Sequence, residues 1–171
     1  MNTRTAPIRN GRYRSLTVTN AARGNGAQKY LRTWVSRACR ELGLVDPSVT
    51  VVVVGDETMS DLHRRFRGVA GTTDVLTFDL SDGTNRPARI GRLEGEIYVC
   101  LDEARRRAPE LGHDVGRELL LYAVHGLLHL MGYDDHAPAD YRKMHAMEDE
   151  VLRAIGVGAV FAPGRGAGGR A

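Results

Sequence analysis

The sequence predicts an α+β fold in a single domain, with a small mixed β-sheet of about four strands packed against about five helices. A run of β-branched residues at 49–54 is typical of a central strand. Apolar residues recur at helical spacing in segments such as 114–131. Helices separate the early strands, whereas only a loop separates the strands at 74–80 and 95–101. This order favours a mixed sheet with an antiparallel edge strand, and we expect the last strand to occupy that edge.

Cap and turn residues separate the elements of the first half. Residues 15–19 alternate like a first strand, and the helix that follows ends at Gly43. Pro47 turns the chain into the β-branched run, after which a short helix is predicted. The predicted elements, in order, are strands at 15–19, 49–54, 74–80 and 95–101 and helices at 27–42, 57–65, 102–110, 114–131 and 138–155.

The second half is divided in the same way. Turn-forming residues such as Gly83 and Pro87 make residues 81–90 a loop between two strands. The helix at 114–131 is apolar around most of its circumference, as expected for a helix packed in the centre of a domain. Pro138 opens the last helix and Gly156 closes it. We therefore expect one folded domain over residues 15–157.

The two ends of the chain differ in composition from this domain. Residues 1–26 contain five arginines and no acidic residue, and residues 158–171 are rich in glycine. We expect a flexible arginine-rich extension, which includes the first strand, and a disordered tail. The formal net charge of the 171-residue chain is +3, which favours a polyanionic partner. The arginines of the ends are Arg4, Arg9, Arg12, Arg14, Arg23, Arg165 and Arg170.

The cysteines and the hydropathy of the chain indicate the cellular compartment of the protein. Cys39 and Cys100 belong to no Cys-x-x-Cys pair, and we expect both to be buried thiols in a reducing compartment. The N-terminal region has no apolar core of signal-peptide length, and no segment approaches about 18 uninterrupted apolar residues. These features predict a cytoplasmic protein without a membrane partner.

The densest chemical signal is a histidine cluster at the end of the central helix. His125 and His129 are four residues apart, so both rings face the same side of a helix. Gly132 allows the chain to leave the helix, and a third ligand follows on the turn, either His136 or Asp135. Three protein ligands leave one tetrahedral position open, which is typical of a catalytic zinc ion. We predict one zinc ion per chain.

The spacing resembles that of zinc peptidases, in which a glutamate beside the first histidine is the general base. Gly126 occupies that position here. The pattern therefore predicts a zinc hydrolase but argues against a peptidase.

The same residues resemble the signature of the YbeY family, bacterial metal-dependent endoribonucleases that mature ribosomal RNA. The resemblance covers about residues 49–156 and has three blocks. They are His125-Gly126-x-Leu128-His129-Leu130-x-Gly132-Tyr133-Asp134, the segment 62–78 with Phe66-Arg67-Gly68 and Thr73-Asp74-Val75-Leu76-Thr77-Phe78, and Gly95-Glu96-Ile97-Tyr98-Val99-Cys100. The resemblance implies a zincin-like layout with the metal site on a central helix and a sheet edge bordering the substrate groove.

The chain departs from the family pattern at the end of the histidine block. The family usually reads Gly-Tyr-Asp-His, whereas this chain has Asp135 at the histidine position and His136 one residue later. We favour His136 as the third ligand because imidazole suits zinc, with Asp135 as the alternative ligand or as a hydrogen-bond acceptor. Upstream, His63 replaces an asparagine and Val69-Ala70 replaces a Lys-Asp pair.

The resemblance implies a single-strand-specific endoribonuclease that matures the 3′ end of 16S ribosomal RNA. Its partners would be precursor ribosomal RNA and the ribosome or its small subunit, with no DNA expected. Arg67 is the candidate for substrate binding and catalysis, because a guanidinium group binds phosphate with a fork of donors. Asp134 is a candidate for orienting a histidine or accepting a proton. The attacking group is either a metal-activated water or the 2′-hydroxyl of the RNA.

Two other function classes fit the same residues. A zinc peptidase would cleave unstructured polypeptide and leave RNA intact. A non-catalytic ribosome-assembly factor would use zinc only to stabilise its fold.

Overall fold

A computed structural model describes residues 15–21, 26–81 and 93–160. The predicted loop at 82–90, most of the arginine-rich extension and residues 161–171 of the tail lie outside this range. The described strands are β1 (Ser15–Asn20), β2 (Ser48–Val54), β3 (Val75–Asp79) and β4 (Glu94–Cys100), and the described helices are α1 (Ala27–Glu41), α2 (Asp56–Arg67), α3 (Leu101–Leu111), α4 (Val115–Leu130) and α5 (Pro138–Ala154). The α+β class is confirmed, and each predicted element lies within about two residues of its expected bounds.

The described strands form one mixed sheet in the order β1-β2-β4-β3. β1 pairs parallel to β2, β2 pairs parallel to β4, and β3 pairs antiparallel to β4. An antiparallel edge strand is therefore confirmed, but the expectation that the last strand forms it is wrong. The antiparallel edge strand is β3, which ends in the exposed Asp79, whereas β4 lies between β2 and β3. The alternation of apolar and polar residues along a strand predicts which of its side chains are buried, but it does not predict which strands lie beside it.

Helices cover the two faces of the sheet unequally. On one face α4 packs against β3 and β4, and it also contacts α1, α3 and α5. Ile97 and Val99 point toward this face and belong to the main hydrophobic core. The opposite face carries a smaller cluster around Met59 of α2 and Leu76 of β3. The histidine-bearing helix is therefore central, as predicted, and a second, lightly covered face remains on the α2 side.

The packing of α4 on the sheet leaves no room for a side chain at Gly126. A Cβ atom built there would lie 2.5 Å from Cγ2 of Ile97 and 3.1 Å from Oγ1 of Thr77. Cγ2 is attached directly to the Cβ of a fully buried β-branched residue, so it moves only if the stiff χ1 torsion rotates or the strand shifts. Glycine at this position therefore holds α4 and the two histidines close to β3 and β4.

We expect Gly126→Ala to destabilise the protein by up to about 2 kcal/mol. Overpacking costs about 1–3 kcal/mol, which exceeds the gain of roughly 1 kcal/mol for alanine over glycine in a helix. Urea unfolding of Gly126→Ala should be compared in Ile97→Val and Ile97→Ala backgrounds. Valine at position 97 keeps Cγ2, so Gly126→Ala should still lower the free energy of unfolding in that background. Alanine at position 97 lacks Cγ2, so Gly126→Ala should no longer lower it. A stabilising Gly126→Ala in the native background would contradict this account of the packing.

The folded contacts extend to residue 160. Arg117 Nη2 donates hydrogen bonds to the carbonyl oxygens of Gly158 (3.0 Å) and Ala159 (2.9 Å), and the backbone N–H of Val160 donates to Asp149 Oδ1 (2.8 Å). The first three residues of the predicted tail are thus attached to α4 and α5. Among the described helices, none combines the length and the apolar composition needed to cross a lipid bilayer.

Candidate metal centre

His125 and His129 lie on the last two turns of α4 and present their rings to one point. Their Nε2 atoms are 2.9 Å apart. The helix around them is almost entirely buried, while the two rings are only partly exposed. The predicted pair is therefore placed as the i, i+4 spacing requires.

Hydrogen bonds at the opposite ring nitrogens determine the tautomers of both histidines. The Nδ1–H of His125 donates to Glu148 Oε1 (2.5 Å), and the Nδ1–H of His129 donates to the carbonyl oxygen of Tyr133 (3.1 Å). Both partners are acceptors, so Nδ1 of each ring carries a proton and the two Nε2 atoms face each other. Two Nε2 lone pairs at this separation repel, and either a proton on one of them or a metal ion between them relieves the repulsion. This arrangement fits a metal ion.

Asp135 completes a three-ligand set with the two histidines. Its Oδ2 atom is 3.6 Å from Nε2 of His125, and its Oδ1 atom is 3.8 Å from Nε2 of His129. Ligand atoms of a tetrahedral zinc ion with bonds of about 2.0–2.1 Å lie roughly 3.3 Å apart. The three observed separations bracket that value, so small side-chain movements would bring all three atoms to one ion.

A turn after α4 places Asp135 in this position. Gly132 has φ of 88°, a left-handed conformation that ends the helix and that residues with a Cβ adopt with strain. Oδ1 of Asp134 accepts hydrogen bonds from the backbone N–H groups of Asp135 (2.8 Å) and His136 (3.3 Å). Asp134 thus shapes the turn from which Asp135 reaches the histidine pair.

The favoured third ligand, His136, lies outside the histidine pair. Its side chain is 84% exposed, and its Nδ1 contacts the carboxylate of Asp134. The structure therefore brings the alternative, Asp135, and not His136 together with His125 and His129. The His136 ring lies on the outer side of the Asp135 carboxylate, with its Nδ1 3.8 Å from Asp135 Oδ1.

Glu148 and His145 are site residues that the sequence analysis did not identify. Both lie on α5 and are buried. The two carboxylate oxygens of Glu148 accept from Nδ1 of His125 and from Nδ1 of His145 (2.6 Å). Their i, i+3 spacing on the inner face of α5 was the available signal. The contact between Glu148 and His125, however, depends on how α5 packs against α4.

The pKa shifts follow from this arrangement. Burial lowers the pKa of His125, but the hydrogen bond and charge of Glu148 outweigh it, so the pKa is raised. Burial and the nearby charge of His125 lower the pKa of His129. Burial also opposes ionisation of Glu148, yet hydrogen bonds from His125 and His145 outweigh it and lower its pKa. Glu148 is therefore a buried carboxylate that holds His125 in the metal-binding tautomer.

Arg67 is the last residue of α2 and is exposed. It forms no ion pair within the described part of the chain. The Asp134 carboxylate raises the pKa of His136, and the positive charge of Arg67 opposes that rise. The charge of Arg67 therefore acts on the turn at 133–136, the turn that carries Asp135.

Comparisons with known proteins agree with this site. The family model described as "Endoribonuclease YbeY" matches residues 17–156, so the match begins upstream of the predicted resemblance at 49–156. An endoribonuclease YbeY from Anaeromyxobacter sp. (strain Fw109-5) is 43% identical over 143 residues, which cover 83% of this chain and 72% of the relative. One from Corynebacterium diphtheriae is 41% identical over 114 residues, covering 63% of this chain and 58% of the relative.

A solved structure has the same fold. The solution structure of a Thermotoga maritima protein superposes with a TM-score of 0.56 at 26% identity, and the match covers 88% of this chain and 99% of that one. The sheet, the position of α4 and the sequence match agree: the chain belongs to the YbeY endoribonuclease family.

Proposed function

We propose that the protein is a single-strand-specific, metal-dependent endoribonuclease that processes ribosomal RNA. Membership of the endoribonuclease family supports the nuclease activity. The observation that carries the metal dependence is the pair of Nε2 atoms 2.9 Å apart, with the Asp135 carboxylate beside them. The substrate we propose is precursor ribosomal RNA at the 3′ end of 16S RNA, in the cytoplasm and in contact with the small ribosomal subunit.

We propose that His125, His129 and Asp135 hold one zinc ion. Two imidazoles and one carboxylate form a ligand set that catalytic zinc sites use, and three ligands leave a position for a reactant. A zinc ion bound there supplies Lewis-acid catalysis for hydrolysis of a phosphodiester. Glu148 orients His125 through Nδ1, and the Tyr133 carbonyl oxygen orients His129 in the same way.

Arg67 and Asp134 have different roles in this proposal. Arg67 holds a phosphate of the RNA, because its guanidinium is exposed and its positive charge acts on His136 of the turn at 133–136. Asp134 positions Asp135 through the turn, since its Oδ1 accepts from two backbone N–H groups. We therefore assign Asp134 a positioning role in place of the proton-accepting role considered from the sequence.

The packing of Gly126 weighs against a peptidase. The peptidase base would project from this helix position, where even a Cβ atom meets Ile97 at 2.5 Å. A glutamate there would have to enter the core between α4 and the sheet. The proposed nuclease reaction has no such requirement.

We expect Arg67→Ala to reduce cleavage of a 5′-labelled single-stranded RNA by about 10- to 100-fold, the effect of losing a charged hydrogen bond to phosphate. Arg64→Ala is the matched control, because Arg64 lies on the same helix but pairs with Asp61 at 2.7 Å on the surface. A chelator should abolish cleavage by the native protein, and added zinc should restore it. The same RNA annealed to its complement should remain intact.

Each rival function predicts a different result in this assay. Equal cleavage by every sample, including the chelated one, would indicate a contaminating nuclease and contradict the proposal. Cleavage of an unfolded polypeptide with intact RNA would indicate a peptidase. Tight RNA binding that weakens in Arg67→Ala, without cleavage by any sample, would indicate a non-catalytic assembly factor.

A further inference from the structure

An exposed aromatic ring directly precedes the candidate phosphate-binding residue in the chain. Phe66 is the residue before Arg67 at the end of α2, and 53% of its surface is exposed. Of the phenylalanine, tyrosine and tryptophan residues that the structure describes, this is the one classed as exposed. Leaving about half of a large apolar ring exposed loses about half of the 1.5–3 kcal/mol that full burial would provide. The proposed catalytic roles do not use it.

Two further rings hold Phe66 in place from the sheet side. Its centroid is 4.8 Å from that of Phe78 on β3 in an edge-to-face contact, and Phe78 makes a similar contact with Tyr98 on β4 at 5.6 Å. The Tyr98 hydroxyl donates a hydrogen bond to Oε2 of Glu96 (2.9 Å), the acidic side chain on the same face of β4. The three rings form a supported row that begins at an open surface. A ring fixed in this way binds a flat partner with little loss of conformational freedom.

Two arginines adjoin Phe66 in the chain. The guanidinium carbon of Arg65 lies over one face of the Phe66 ring, 5.4 Å from its centre, which leaves the other face for a partner, and Arg67 follows directly in the chain. Neither arginine forms an ion pair with any residue of the described ranges. Arginines in the last turn of a helix also stabilise its dipole, but that role does not require an exposed ring between them. An aromatic face flanked by cations is complementary to an unpaired base with its phosphates.

We propose that Phe66 is a stacking platform for one unpaired base of the RNA strand, next to the phosphate held by Arg67. The inference rests on the proposed function, which it deepens by naming how a single strand is selected. Proteins bind single-stranded RNA by stacking splayed bases on aromatic rings, with basic groups along the backbone. A base within a duplex has both faces covered and cannot stack on Phe66. The platform therefore favours unpaired RNA.

The test compares two ligands that differ only in their bases. Binding of full-length, metal-loaded protein is measured by fluorescence anisotropy with an oligoadenylate RNA and with an abasic ribose-phosphate oligomer of equal length, and RNA integrity is checked on a gel. We expect Phe66→Ala to weaken oligoadenylate binding by about 5- to 150-fold, the range for one stacked base, and to leave abasic binding unchanged. Arg67→Ala should weaken binding of both ligands.

Two further variants separate stacking from folding. Phe66→Leu keeps an apolar contact with Phe78 and should lose oligoadenylate binding like the alanine variant, whereas Phe66→Trp should retain it. Equal loss for both ligands in Phe66→Ala, or unchanged oligoadenylate binding, would overturn the platform, and the latter result would make the exposed ring a protein-docking surface. Native protein that binds oligoadenylate through Phe66 but cleaves no RNA would refute the proposed nuclease function alone. If the native protein cleaves RNA normally but Phe66 substitutions do not change oligoadenylate binding, the platform is refuted and the proposed nuclease function is not.

Discussion

His129→Ala protein is expected to lose its bound metal ion and to cleave single-stranded RNA more than about 100-fold more slowly. The variant removes one of two Nε2 atoms that lie 2.9 Å apart and leaves a site with one imidazole. Losing only an outer hydrogen-bond partner of a metal ligand costs about 10- to 100-fold in affinity or activity, so losing a ligand costs more. Elemental analysis of unstripped protein gives the stoichiometry, and labelled RNA gives the rate.

Two neighbouring residues serve as matched variants for this experiment. Asp135→Asn should lose metal as His129→Ala does, because the Asp135 carboxylate lies 3.6 Å from one histidine Nε2 and 3.8 Å from the other. His136→Ala should keep one ion per chain, because its ring is 84% exposed and lies outside the pair. Metal loss in His136→Ala with metal retained in Asp135→Asn would reverse the assignment of the third ligand.

Glu148→Ala protein is expected to bind zinc about 10- to 100-fold more weakly and to unfold more easily by about 3–5 kcal/mol. The fully buried carboxylate accepts from Nδ1 of His125 and of His145, so its removal frees the tautomer of a proposed metal ligand and deprives both Nδ1 atoms of this acceptor. Zinc affinity is measured by competition with a chromogenic chelator, and stability by urea unfolding of the metal-free protein.

A second buried glutamate provides the control. Glu118 is also fully buried and pairs with Nε2 of His113 at 2.5 Å, at the other end of α4. Glu118→Ala should therefore lower the free energy of unfolding to a similar extent while zinc affinity stays unchanged. Equal zinc affinity of native and Glu148→Ala proteins would show that Glu148 acts only in folding.

The sequence by itself determined the elements and two of the proposed ligands. Periodicity is a local property, so the helix at 114–131 and the β-branched strand at 49–54 could be placed from neighbouring residues alone. The i, i+4 spacing of His125 and His129 on that helix directs both rings to one side. The Gly132 break and the Arg67 block were also visible in the chain, and the comparisons confirmed the family that these motifs predicted.

Tertiary packing decided the strand order, the third proposed ligand, the role of Glu148 and the exposure of Phe66. Each of these depends on contacts between residues far apart in sequence or on the direction of a side chain at a turn. The sheet placed β4 inside and β3 at the edge, and the turn held by Asp134 directed Asp135 toward the histidines and His136 outward. Glu148 meets His125 across 23 positions, only because α5 packs on α4. The exposure of Phe66 depends on how far α2 covers the sheet. Spacing along the chain specifies none of these distances.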